Sequence, residues 1–136
     1  MSAALNDLVR NWLAKAHHDL ISARLLAFAD TPVLDTAIYH CQQAAEKAVK
    51  GFLAFRGIRF DKTHDVRALV AQAEEVEPTF SGLADDARLL TPYAVEYRYP
   101  GDAMIPDPAE FDEAYQAAER VCMFVFSLLP PSIRPS

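Results

Sequence analysis

Residues 38–57, IYHCQQAAEKAVKGFLAFRG, carry an apolar seam at helical spacing. Ile38, Cys41, Ala45, Ala48, Phe52 and Phe55 follow one another at steps of three and four. That interval returns a side chain to the same face of an α-helix. Ala44, Ala45 and Ala48 are small enough for a second backbone to approach closely. Gly57 supplies the stop, because glycine enters the left-handed conformation that ends helices at little cost. A seamed helix of this length cannot bury itself alone, so the stretch predicts helix packed on helix.

The flanking sequence has the same period. Leu5, Leu8, Trp12, Ala16, Leu20, Ala23 and Ala27 predict a long first helix. Asp30-Thr31-Pro32 should end it, with Thr31 as N-cap and Pro32 as first residue of the second helix. After Gly57, a short third helix is predicted over about 65–75, with Val66, Leu69, Val70 and Ala73 inward. Pro78 interrupts, and a fourth segment covers about 81–97 with a break at Thr91-Pro92. The stretch 99–108 holds Pro100, Gly101, Pro106 and Pro108 and is not helical. A last helix over about 109–129 turns Phe111, Ala114, Ala118, Val121, Val125 and Leu128 to the core. Glu110, Asp112 and Glu113 in its first turn suit the helix dipole. Strand alternation persists nowhere. The expected fold is all-α, an antiparallel (up-and-down) bundle of about five helices, with one domain over 1–130 and a loose tail over 131–136.

The bulk numbers agree. A chain of 136 residues, 51% hydrophobic and 24% charged, is one globular domain with its own core rather than a disordered segment. No apolar run approaches the ~20 residues that span a bilayer, so no membrane association is expected. The N-terminus holds Asp7 and no apolar stretch, unlike a secretory signal, and the cytoplasm is the expected location. Cys41 and Cys122 fall on apolar faces without a CxxC motif, which predicts buried, reduced thiols. A net charge of −6 excludes a protein that coats nucleic acid by general electrostatics. The charge is polarised, however. Lys47, Lys50, Arg56, Arg59, Lys62 and Arg67 outnumber the two acids among residues 47–67, whereas eleven acids face two arginines among residues 74–113. Such a chain suits an anion at one end and a basic partner at the other.

Three stretches could carry chemistry. On the second helix, His40, Gln43, Lys47 and Lys50 share one stripe, and Glu46 sits four residues after Gln42 and four before Lys50. This is either a solvated, salt-bridged face or a packed interface and anion groove. In RFDKTHDV, Thr63 or His64 can cap the third helix, with Lys62 and His64 beside its first amides. That is a physically reasonable phosphate site, or simply a cap. In VEYRYPGDA, Arg98 lies between Tyr97 and Tyr99 at a backbone break, as the wall of an anionic-ligand site or as an aromatic hinge with Arg98 paired to Glu46 or Glu96. His17 and His18 point to different faces with no ligand set around them, so no metal is expected. P-loop, GxSxG, HExxH and GxGxxG motifs are absent, and no cofactor is called for.

The runs HCQQAAEKAVKGFLAFRGI, KTHDVRAL and YRYP, in that order, resemble the HEPN (higher eukaryotes and prokaryotes nucleotide-binding) family. The resemblance spans about 12–129. It implies a helical bundle that dimerises through helix faces, and in many prokaryotic members a minimal nucleotidyltransferase partner in a toxin–antitoxin pair. Active members are metal-independent RNases, whose signature is an arginine followed after a short gap by a histidine. Across a dimer, arginine stabilises phosphate charge and histidine aligns or deprotonates the ribose 2′-hydroxyl. Arg59 and His64 have such a gap, but they lie earlier in the chain than the family's signature. Arg98, at the later position, is followed by no histidine. Arg88 and Tyr93 resemble a spacing at which some HEPN toxins are modified by their partner. The resemblance therefore implies a nucleotide- or RNA-binding homodimeric module with an incomplete RNase motif, its site drawn from Glu46, Lys47, Lys50, Lys62, His64, Tyr97, Arg98 and Tyr99. Two alternatives stand beside it: an RNase toxin using Arg59 and His64, and a non-catalytic helical scaffold.

Overall fold

A computed structural model describes residues 2–60, 62–94 and 105–135. Five α-helices follow in order: α1 (Ala3–Ala27), α2 (Leu34–Phe55), α3 (Val66–Glu74), α4 (Ala84–Leu90) and α5 (Pro108–Ser127). Two 3₁₀ turns, Pro78–Leu83 and Thr91–Ala94, flank α4. The described residues contain no strand. The expected all-α helical bundle is the fold observed.

The seam that opens the sequence is the centre of the molecule. Ile38, Cys41, Ala45, Ala48 and Phe52 are buried, and α2 packs against α1 first and α5 second. Its alanines do what their size allows: Cys122 of α5 comes within 3.6 Å of the Ala44 carbonyl oxygen. Gly51 serves the other side. A Cβ at that position would lie 2.9 Å from Leu13 Cδ2 and 3.2 Å from Trp12 Cβ, so α1 crosses where α2 has no side chain. α1 runs antiparallel to both neighbours, with Trp12 near Lys50 and Arg24 near Tyr115 while His17 lines a hollow with Met123. Phe80 joins the layers, 4.8 Å from the Phe52 ring and 4.9 Å from Phe124.

The helix ends follow local chemistry. Gly57, at φ 68°, closes α2: its N–H donates to the Ala54 carbonyl and the Ile58 N–H to the Leu53 carbonyl. Asp65 caps α3 by accepting from the Ala68 N–H, and Asp107 caps α5 by accepting from the Glu110 N–H. Pro108 takes the first helical position, where no N–H is needed. The inward residues of α3 are Val66, Leu69, Val70 and Ala73, as the spacing predicts.

Four expectations are corrected. Thr31 and Pro32 do not start α2. The Val33 N–H instead bonds to the Leu26 carbonyl, which extends the turn after α1, and Leu34 is the first helical residue. The cap of α3 is Asp65, not Thr63 or His64, because it immediately precedes the first helical residue, Val66, and its carboxylate there reaches the Ala68 amide; Thr63 accepts from the Asp65 N–H instead. The seam of α1 lies one position over at its N-terminal end: Val9 and Leu13 are fully buried while Leu8 is exposed, since Leu13 fills the space above Gly51. The stretch expected to be a loose tail is anchored among its described residues, 131–135. Ile133 is buried, Arg10 Nε donates to the Ser132 carbonyl, and Arg134 Nε donates to the Leu129 carbonyl.

Candidate functional site

The polar stripe of α2 is not a solvated face. Gln42, Gln43, Glu46 and Lys50 are all buried. Charged groups in a bundle core carry a desolvation penalty and persist only when closely paired. Glu46 is paired at both oxygens. Oε2 accepts from Lys50 Nζ at 3.0 Å, and Oε1 lies 2.9 Å from His64 Nδ1. Gln42 Nε2 donates to Oε1 at 3.2 Å and to the His64 carbonyl at 2.8 Å. Gln43 bonds to Gln42 and, at 3.4 Å, to Glu46. The His64 side chain is 65% exposed whereas that of Glu46 is 4% exposed. A buried carboxylate thus holds an outward-facing imidazole. A carboxylate only accepts, so Nδ1 carries the proton towards Glu46 and Nε2 is the acceptor of the neutral ring.

Lys47 belongs to a second cluster. Its Nζ lies 2.7 Å from Asp19 Oδ2, and His40 Nδ1 lies 2.8 Å from Asp19 Oδ1. The predicted stripe is therefore divided: Lys50 turns to Glu46 and Lys47 turns to α1. The two lysines do not form a free cationic flank, because each is neutralised by a buried acid. Asp19 is the member that sequence reasoning missed. It sits three after Ala16 and four before Ala23, on the buried stripe of α1, and an acid at such a position was the available signal.

The exposed cations lie beyond α2. Arg56 stacks over the Phe52 ring at 5.8 Å, Arg59 borders a surface hollow, and Lys62 is exposed. The start of α3 is occupied by the chain itself. Ala68 N–H donates to Asp65 and Arg67 N–H to Thr91 Oγ1 at 3.3 Å, and the Asp65 carboxylate occupies the end where a phosphate was expected. Tyr97, Arg98 and Tyr99 lie outside the described residues, and the corner they were expected to form lies there with them. Arg88 pairs with Asp85, and Tyr93 OH is 2.7 Å from Glu110 Oε2. Among the described residues, no three His, Cys, Asp or Glu side chains are placed to share a metal ion. Burial pushes the Cys41 thiol up to about 12, with the Asp19 charge adding to it, and raises the fully enclosed Cys122 further.

The HEPN domain model matches residues 9–128. The chain belongs to the HEPN family. Two solved structures support the assignment at the level of the fold. TT1696 from Thermus thermophilus is 32% identical with a TM-score of 0.74, over 89% of this chain and 98% of that one. ST0689, an archaeal HEPN homologue, is 28% identical with a TM-score of 0.69, over 88% and 96% of the two chains. No protein of curated function matches the chain. In this HEPN domain no helix among the described residues is long and apolar enough to cross a membrane. The HEPN match runs from within α1 to the end of α5, so both buried charge clusters fall within it.

Proposed function

We propose that this HEPN domain is a nucleotide- or RNA-binding module. It acts as a homodimer beside a minimal nucleotidyltransferase, one half of a toxin–antitoxin pair, without a full RNase motif of its own. The observation that carries the binding reading is the exposed imidazole of His64, held by buried Glu46, in a stretch of chain that also carries the exposed cations Arg56, Arg59 and Lys62. The exposed cations of this stretch suit the charge of a phosphate diester, and the Nε2 acceptor of the held ring suits a ribose hydroxyl. The acidic stretch of sequence from Glu74 to Glu113 suits a basic protein partner. Titration of the purified protein with nucleotides and short RNAs tests the reading. Micromolar binding that weakens in His64→Ala and Arg98→Ala is expected. No binding in the parent removes it. Co-purification with the product of a neighbouring nucleotidyltransferase gene tests the partner.

A second reading, an RNase toxin using Arg59 and His64, is favoured by the Glu46–His64 pair. A buried carboxylate on Nδ1 sets the tautomer in which Nε2 accepts a proton, the arrangement a general base needs. Growth arrest and RNA cleavage on induction, both lost in His64→Ala, support this reading. Normal growth with intact RNA removes it.

A further inference from the structure

We infer that Trp12 and Phe60 form a stacking shelf for the base of a nucleotide whose phosphate is taken by the cations between Arg56 and Lys62. The inference rests on the nucleotide-binding reading and adds to it a place for the base.

Trp12 is half-buried and stands between two hollows. One, of about 580 Å³, it shares with Ile58, Arg59 and Phe60; the other, of about 410 Å³, it shares with Leu8 and Lys15. The ring is held firmly. Phe60 meets it edge-on, with centroids 6.2 Å apart at 69°, and Lys50 Nζ lies 5.7 Å from its centroid. Phe52 and Phe80, by contrast, are wholly enclosed in the core. An aromatic pair fixed in place but open to solvent, with Arg59 at one rim and Lys15 at the other, matches a flat π-system joined to an anion. Bases stack on such platforms while cations take the backbone. The same charges argue against an apolar helix as occupant, which would cover Arg59 and Lys15 without neutralising either. Lys50 ties the shelf to the rest of the site. The ammonium that lies against Trp12 and Phe60 also bonds to Glu46, which holds His64.

The test uses the chain's one tryptophan as its own reporter. A labelled six-nucleotide RNA and, separately, AMP are titrated into the full chain, with RNA anisotropy and tryptophan emission read together. Emission should quench at the midpoint seen by anisotropy. Phe60→Leu should weaken RNA binding roughly tenfold, the scale of one lost stacking contact, with circular dichroism unchanged. Quenching by AMP assigns the shelf to free nucleotides, and quenching by RNA alone assigns it to a strand. If Phe60→Leu fails to fold, quenching in the parent decides. RNA that binds without altering the emission overturns the shelf and leaves the nucleotide reading standing. An emission change driven by protein concentration alone also overturns it, since a second copy then covers the groove. Absence of any RNA or AMP binding overturns both.

Discussion

Glu46 shows how much one side chain can organise. It is buried and bonds to two glutamines, a lysine and a histidine. Glu46→Ala leaves Lys50 charged and enclosed without its carboxylate. The expected loss is about 3–5 kcal/mol, measured by urea unfolding. His64→Ala removes a mostly exposed ring and should change stability by less than about 1 kcal/mol while it weakens ligand binding. A large stability loss in His64→Ala would mean the histidine is a structural strut. The thiols give a pH prediction. Both pKa values are raised in the fold, so the neutral thiol is the form the fold favours. Cys41 therefore adds no pH dependence to stability below its ordinary value of 9.0, and stability falls as the pH climbs from there towards about 12. Below pH 9.0 neither thiol should react with a thiol-specific reagent until the protein is unfolded. Fast labelling of the native chain would contradict the burial of Cys41 and Cys122.

At the scale of the helix, two glycines carry opposite burdens. Gly57 needs its left-handed φ, and Gly57→Ala should cost about 1 kcal/mol through backbone strain, with no clash because nothing lies near its Cβ position. Gly51 needs its empty space. Gly51→Ala gains roughly 1 kcal/mol of helix propensity but drives a methyl into Leu13 and Trp12. Overpacking of about 1–3 kcal/mol outweighs that gain, and thermal unfolding should show a lower Tm. A higher Tm would mean that α1 can shift aside. The elements themselves were legible in the sequence. The seam of α2, the inward face of α3 and the break at Thr91-Pro92 all follow from spacing and turn chemistry. The start of α2 was not legible, because a backbone bond from Val33 to Leu26 outweighs the capping preference of Thr31. The division of the polar stripe was also hidden. Period places Lys47 and Lys50 on one face, but only the third dimension shows that acids on different helices claim them.

For the whole molecule, the balance is acidic while the α2–α3 connection is basic. Binding of single-stranded RNA through Arg56, Arg59 and Lys62 should therefore depend on salt in proportion to three contacts. A plot of log K against log salt should have a slope of about −2, reduced by about 0.7 in Arg56→Ala. A slope near zero would place the ligand away from this connection. The family and the helical fold could be anticipated from the ordered runs along α2, α3 and YRYP, but the clasp around Asp19 could not, because it joins residues 21 and 28 positions apart. That clasp has a mechanical consequence. His40 and Lys47 are two turns apart on α2 and grip the same carboxylate from either side. Sliding α1 along α2 by one turn, about 5.4 Å, would bring Asp19 level with one of the two and leave it roughly 10 Å along the axis from the other, so one of the pairs would be lost. The clasp fixes the axial register of the two longest helices, so any motion of α1 against α2 must be a hinge or a rotation rather than a slide.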